Sequence, residues 1–156
     1  FGGWILVADR VQDPGNLGTM IRSAAAAGAS CVVTTPNTVD ALSPKVVRAA
    51  AGSMFAVPVV SETSLNDVRD AGFTVVGTSS HDHPGVVVYD HFDFTRRVAV
   101  VMGNEAAGLA NDAPVDSWVT IPHDGPVESL NVAMAATVLC FEVARQRNAS
   151  SGEINP

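Results

Sequence analysis

Short, almost uninterrupted apolar runs alternate along this chain with stretches that carry helix-start and helix-stop signals, and few architectures accommodate that alternation. Ile5–Ala8, Cys31–Thr34, Thr74–Gly77, Val98–Met102 and Val119–Ile121 read as strands. Most lack the in-out alternation of a half-solvated sheet, as expected of strands covered on both faces. Val98–Met102 has no polar position at all and is predicted to be central. Between the runs, Asp13-Pro14-Gly15 is turn chemistry, and Asn16 to Ala27 reads as a helix stopped by Gly28. Ser43-Pro44 supplies an N-cap and a first-turn proline, opening a helix to about Ala51 that Gly52 ends. Ser64 and Asp67 have capping-box spacing for a short helix ending before Gly72. The longest helix is predicted over Asn131–Gln146, with a polar tail, Asn148–Pro156, behind it. Repeated βα units of this kind predict an α/β, three-layer domain on a parallel sheet.

Composition narrows the function classes. Hydrophobic residues are 47% of the 156, but aromatic residues only 6%, so the core must be built from Ala, Val, Leu and Ile. No run approaches the length of a membrane span, and no secretory signal opens the chain. The chain begins without Met, so a larger parent protein is expected. Cys31 and Cys140 lie far apart in apolar segments and are expected to be buried free thiols, consistent with a cytoplasmic setting. Net charge is −7, with a single lysine, which is unusual for a protein that grips nucleic acid. The charge is uneven, however. Through Val60 the bases Arg10, Arg22, Lys45 and Arg48 face only Asp9, Asp13 and Asp40, whereas beyond it acids outnumber bases thirteen to five. Any surface for a polyanion is therefore expected in the N-terminal third.

Three stretches carry the chemistry. Ile121-Pro122-His123-Asp124-Gly125-Pro126-Val127-Glu128-Ser129-Leu130-Asn131 is a Gly/Pro-rich loop running into a helix, with a hydroxyl and a carboxamide two residues apart. Such a loop presents backbone donors and acceptors to a small polar ligand. Asn16-Leu17-Gly18-Thr19-Met20-Ile21-Arg22-Ser23-Ala24 and Met102-Gly103-Asn104-Glu105-Ala106-Ala107-Gly108 precede it. No Gly-x-Gly-x-x-Gly follows the first strand, which argues against a dinucleotide enzyme, and no Walker lysine is present. Together and in this order, the three stretches resemble the motifs of the SpoU (TrmH-like) RNA 2′-O-ribose methyltransferases of the SPOUT class. The resemblance runs from about Ile5 to Gln146.

The resemblance implies a deep trefoil knot at the C-terminal end, a homodimer whose subunits both border each site, and S-adenosylmethionine held among the knot loops. Thr78, Met102, Gly103, Asn104 and Gly108 would bind that cofactor, with Ile121, Pro122, Leu130 and Asn131. Arg22 would have the central catalytic role. Because guanidinium is effectively never deprotonated, its role is expected to be a bidentate grip on the phosphate and stabilisation of a developing alkoxide. Asn16 would touch ribose or phosphate, or simply cap its helix. Gly18 would admit close approach of backbone or ligand. Glu105 would orient Arg22 by ion pairing across the dimer site, accept the hydroxyl proton, or form a purely structural pair. Ser129 and Asn131 would hydrogen-bond near the transfer centre, unless Ser129 only caps the last helix. Arg10, Asn16, Arg22 and Arg48 are the expected RNA contacts.

Some positions depart from the family pattern. His123 stands where Ile-Pro is usually followed by Met, and Glu128 adds negative charge beside the site. His81-Asp82-His83 is read as a polar loop, and no metal is expected. The stretch Pro44–Phe55 resembles the ribosomal-RNA branch, so ribosomal RNA is favoured over transfer RNA; DNA and membrane are not expected partners. The domain is expected over 1–147 with a tail over 148–156, and a separate N-terminal RNA-binding domain is expected to be absent from this chain. The alternatives are a transfer-RNA enzyme of the same fold and a non-catalytic knotted RNA-binding dimer.

Overall fold

The structure, a computed structural model, describes residues 3–79, 83–126 and 129–151. Its frame is a seven-stranded parallel sheet made of β1 (Ile5–Ala8), β2 (Cys31–Thr34), β3 (Val59–Val60), β4 (Thr74–Thr78), β5 (Val87–Val88), β6 (Val98–Met102) and β7 (Ser117–Thr120). The strand order is β3-β2-β1-β6-β4-β7-β5. β6 pairs with β1 on one side (Val7 opposite Val101) and with β4 on the other (Gly77 opposite Val101), which makes it central as expected. Every residue of β1, β2 and β6 is buried, because helices cover both faces.

Alternation along the strands sorts the core into two layers. Leu6, Ala8, Val32, Val76, Val100 and Met102 face α1 (Pro14–Ala26), α2 (Pro44–Ala50) and α4 (Val132–Ser151). Ile5, Val7, Val33, Val75 and Val101 face α3 (Leu65–Asp70) with Phe73 and Leu109. The second layer has α3 as its only helix among the described residues.

Local signals explain most boundaries. Asp13 caps α1 by accepting from the Asn16 N–H, and Gly28 follows with a φ of +75°. The cap is therefore Asp13, and Asn16 is free for other work. Ser64 and Asp67 close a reciprocal capping box on α3. Gly18 serves packing between helices: a methyl group there would collide with Ala49 of α2, side chain and backbone alike.

Three expectations need correction. β7 covers Ser117–Thr120, not Val119–Ile121, because its register is set by pairing Val76, Gly77 and Thr78 with Ser117, Trp118 and Val119. The edge strands β3 and β5 were not foreseen; each is two half-buried residues long. Finally, α4 runs on to Ser151, through part of the predicted tail. It is held there by Gln146, which donates to the Phe92 carbonyl, and Arg147, which donates to the Phe94, Thr95 and Arg96 carbonyls. Among the described residues, no helix is long and apolar enough to cross a membrane.

Candidate active site

Because β6, β4 and β7 are parallel neighbours, the loops leaving their C-terminal ends emerge side by side. They enclose a cleft of about 310 Å³, at the lower end of the range for small-molecule sites. Thr78 ends β4 and Ser79 follows it, Met102 ends β6 and Gly103 to Leu109 leave it, and Ile121 and His123 follow β7. Ser129, Leu130 and the first turns of α4 close the remaining side. The three loops that the resemblance assigned to the ligand are thus together.

The loop after β6 closes tightly on itself. The Gly108 N–H donates to the Asn104 carbonyl at 2.8 Å, and the Asn104 side chain accepts from the Ala106 and Ala107 N–H groups at 3.0 Å. Asn104 Nδ2 also donates to the Arg10 carbonyl at 2.9 Å, tying the loop to the end of β1. Gly108 has a φ of +64°, and a methyl group on Gly103 would run into the Gly108 and Leu109 backbone. Gly103→Ala is therefore expected to open the loop and to weaken ligand binding in the cleft by about tenfold or more, with the fold retained. Calorimetric titration beside a thermal melt checks this.

Glu105 has a different environment from the one expected. Its carboxylate accepts from the N–H groups of Gln12 (3.1 and 3.2 Å) and Asp13 (2.9 Å), and from Asn16 Nδ2 (3.2 Å). Partial burial on its own would raise this carboxyl, but the N–H groups of Asp13, Gln12 and Glu105 and the Asn16 amide outweigh it and hold it below the ordinary glutamate value. A carboxylate so occupied is a poor proton acceptor. Within the chain, no ion pair joins it to Arg22 among the described residues.

The relay continues. Asn16 Oδ1 accepts from Asn131 Nδ2 at 3.1 Å, and Asn131 Oδ1 accepts from the Ala133 and Met134 N–H groups at 2.9 and 3.2 Å. Asn131, not Ser129, thus caps α4. One line of hydrogen bonds, Asn131 to Asn16 to Glu105, links all three sequence stretches.

The remaining predicted residues divide cleanly. Thr78, Met102, Gly103, Asn104, Gly108, Ile121, Leu130 and Ser129 line the cleft, whereas Pro122 and Asn131 do not. Thr78 Oγ1 is anchored on the Val101 carbonyl at 2.9 Å. Arg22 and Arg48 are exposed on α1 and α2, away from this chain's own cleft. Arg10 is engaged, with Nε on Asp9 at 2.9 Å and a long contact from Nη2 to the Gly108 carbonyl, so it is not a free phosphate ligand. Sequence reading missed His83 and Trp118, whose stacked rings (centroids 4.3 Å apart) both border the cleft. Trp118 also covers Gly77, a pairing visible only once β4 and β7 are neighbours. No group of three or more metal-ligating side chains occurs among the described residues; His81, Asp82 and Glu128 lie outside them.

Residues 3–141 match the SpoU rRNA methylase family. This chain belongs to that family. It is 40% identical over 148 residues to a 23S rRNA (uridine(2479)-2′-O)-methyltransferase of Streptomyces viridochromogenes, covering 89% of this chain and 51% of that protein. It is 39% identical over 146 residues to the 23S rRNA (guanosine(2553)-2′-O)-methyltransferase RlmP of Bacillus subtilis, covering 89% and 57%. The structure of an AdoMet-bound rRNA methyltransferase from Sinorhizobium meliloti superposes with a TM-score of 0.84 at 39% identity, covering 92% of this chain and 56% of that one. The chain therefore spans about half the length of the curated relatives it matches.

Proposed function

We propose that this domain transfers a methyl group from S-adenosylmethionine to a ribose 2′-hydroxyl of RNA, with ribosomal RNA favoured over transfer RNA. The observation that carries the reading is the Asn131–Asn16–Glu105 line beside the cleft, which gathers the three motif stretches into one place. The family relatives support it: two are 23S rRNA 2′-O-methyltransferases, and a third holds AdoMet.

The cleft suits the cofactor. Met102, Leu109, Ile121 and Leu130 offer apolar walls for a nucleoside, while Thr78, Asn104 and Ser129 offer hydroxyl and amide groups. The close backbone at Gly103 and Gly108 presents main-chain atoms without side chains in the way. Bound there, S-adenosylmethionine supplies a methyl group already activated on a sulfonium. Orientation and exclusion of water then become the protein's main tasks. Asn16, its amide fixed by Glu105 and Asn131, has one N–H and one lone pair left to orient ribose or phosphate. Arg22 grips phosphate and steadies negative charge developing on the 2′-oxygen.

The surface of α4 supports a homodimer as part of this proposal. Leu130, Met134, Val138 and Phe141 are large exposed apolar residues spaced along one side of this helix and its entry, a face that a second copy would bury. α1 packs beside it through Ser23 and Thr137 (Oγ to Oγ1 2.7 Å), so Arg22 would lie near the second copy and border its cleft. We further propose the trefoil knot through the loops at 78, 103–109 and 121–131, on the family likeness and the tight closure of 103–109. A domain that takes in α4 to Ser151, and a separate RNA-binding domain in the parent protein, belong to the same proposal. So does a cytoplasmic setting, supported by two buried free cysteines, with the Cys140 thiol pushed up to about 12 by burial. DNA and membrane have no part in it.

Calorimetric titration with S-adenosylmethionine tests the core of the reading. About one site per chain with micromolar affinity is expected; a flat titration with folded protein would remove the methyltransferase assignment.

A further inference from the structure

Six of the nine cations are occupied within the chain. Arg10, Arg69, Arg96 and Arg145 pair with Asp9, Asp116, Asp93 and Glu142. Arg97 lies over the Phe73 ring, and Arg147 donates to three carbonyls. The other three, Arg22, Lys45 and Arg48, have exposed side chains with no ion pair or hydrogen bond among the described residues. All three lie on α1 and α2, which pack directly together. No acid occurs within α1 or between Ala41 and Ser61, so this face is positive on a chain of net charge −7.

An aromatic ring is displayed in the turn that directly follows α2. Phe55 is 98% exposed, in a 3-10 turn over Ser53–Phe55 that follows α2 and packs against both helices. The turn is set up by consecutive left-handed residues, Ala51 at a φ of +48° and Gly52 at +83°. Ala51 has no glycine's freedom, so the chain holds an unfavourable conformation to present this turn. Aromatic residues are usually buried, and a lone phenylalanine almost wholly in water beside unpaired cations needs an occupant. The α4 stripe lacks unpaired cations and suits a second copy; the α2 face has them and suits a polyanion with flat apolar groups.

We propose that Phe55 is a nucleobase-stacking platform for single-stranded RNA, with Lys45 and Arg48 holding the flanking phosphates. Stacking on an exposed ring tolerates any base, so this contact supplies grip and register, not sequence. It extends the methyltransferase reading and rests on it, by adding a place where RNA outside the reacting nucleotide is held.

The test is fluorescence anisotropy of a short labelled oligouridylate at several salt concentrations, with oligomeric state and S-adenosylmethionine titration on the same preparations. Phe55→Ala should weaken RNA binding about tenfold and leave its salt dependence unchanged, because no charge is lost. Phe55→Leu should behave likewise, since it retains apolar bulk but no ring. Lys45→Ala should lower the slope of log affinity against log salt by about 0.7, as one phosphate contact is lost. Unchanged affinity in Phe55→Ala, retained affinity in Phe55→Leu, or dissociation of the oligomer by either overturns the proposal; the last would make Phe55 a protein contact. If the unsubstituted chain binds cofactor but not the oligonucleotide, the platform fails alone. If it binds neither, the methyltransferase reading fails with it.

Discussion

On the proposed activity, Arg22→Ala should lower methyl transfer to RNA by about 10²- to 10³-fold, with affinity for S-adenosylmethionine within severalfold of the unsubstituted protein. The expectation follows from where the side chain is. Arg22 is exposed on α1, makes no ion pair among the described residues, and does not border its own chain's cleft. A side chain so placed contributes little to stability, so its loss removes charge stabilisation without disturbing the fold. A large drop in cofactor affinity would show that Arg22 has been assigned the wrong role. If Arg22 serves the partner's cleft, Arg22→Ala mixed with Gly103→Ala, assayed at a cofactor concentration too low for Gly103→Ala to bind, should restore about a quarter of full activity, because half the dimers then contain one intact site. Mixtures as inactive as the parents would place Arg22 at its own site instead.

The contrast between what the sequence disclosed and what it withheld follows the range of the interactions. β1, β2 and β6 have the predicted limits because their burial on both faces leaves an uninterrupted apolar run. Caps at Ser43 and Ser64 and the stop at Gly28 are local chemistry and were legible too. β3 and β5 were not, since two residues become a strand only through a parallel neighbour. The last turns of α4 depend on Gln146 and Arg147 reaching residues some fifty positions earlier, and composition alone reads that segment as a loose tail.

The site shows the same division. Two of the three stretches, through the family resemblance, named much of the cleft's lining, from Met102 to Gly108 and at Ile121, Ser129 and Leu130, because loops after parallel strands gather at one sheet edge. Hydrogen-bond partners could not be read this way. Asn16 and Glu105 are 89 positions apart, and nothing in either motif says that the carboxylate would be taken up by the Gln12 and Asp13 backbone. Arg10 looked like a free cation, but a φ of +54° turns it back onto its neighbour Asp9.

Glu105 yields the second large effect, and its sign separates a clamp from a base. Glu105→Ala removes the acceptor for two backbone N–H groups and for the Asn16 amide. These donors are near solvent and water can replace the carboxylate, so the stability loss should be small, about 1 kcal/mol. Catalysis is less forgiving: on the proposed role of Asn16, its release leaves the ribose unoriented, and a shift of about 1 Å in such a group costs on the order of 10²-fold in rate. The pH dependence is decisive. Glu105 is held below the ordinary glutamate value, so its contribution to stability is complete above that value, about 4.3. It is lost only as pH falls through the still lower value of the folded protein. The stability gap between the unsubstituted protein and Glu105→Gln should therefore be flat through neutrality and narrow in acid. The acid limb of transfer activity should remain in place when Glu105 is changed to Gln, even as the rate falls. An acid limb near neutrality that disappears in Glu105→Gln would instead identify this carboxylate as the group that takes the 2′-hydroxyl proton.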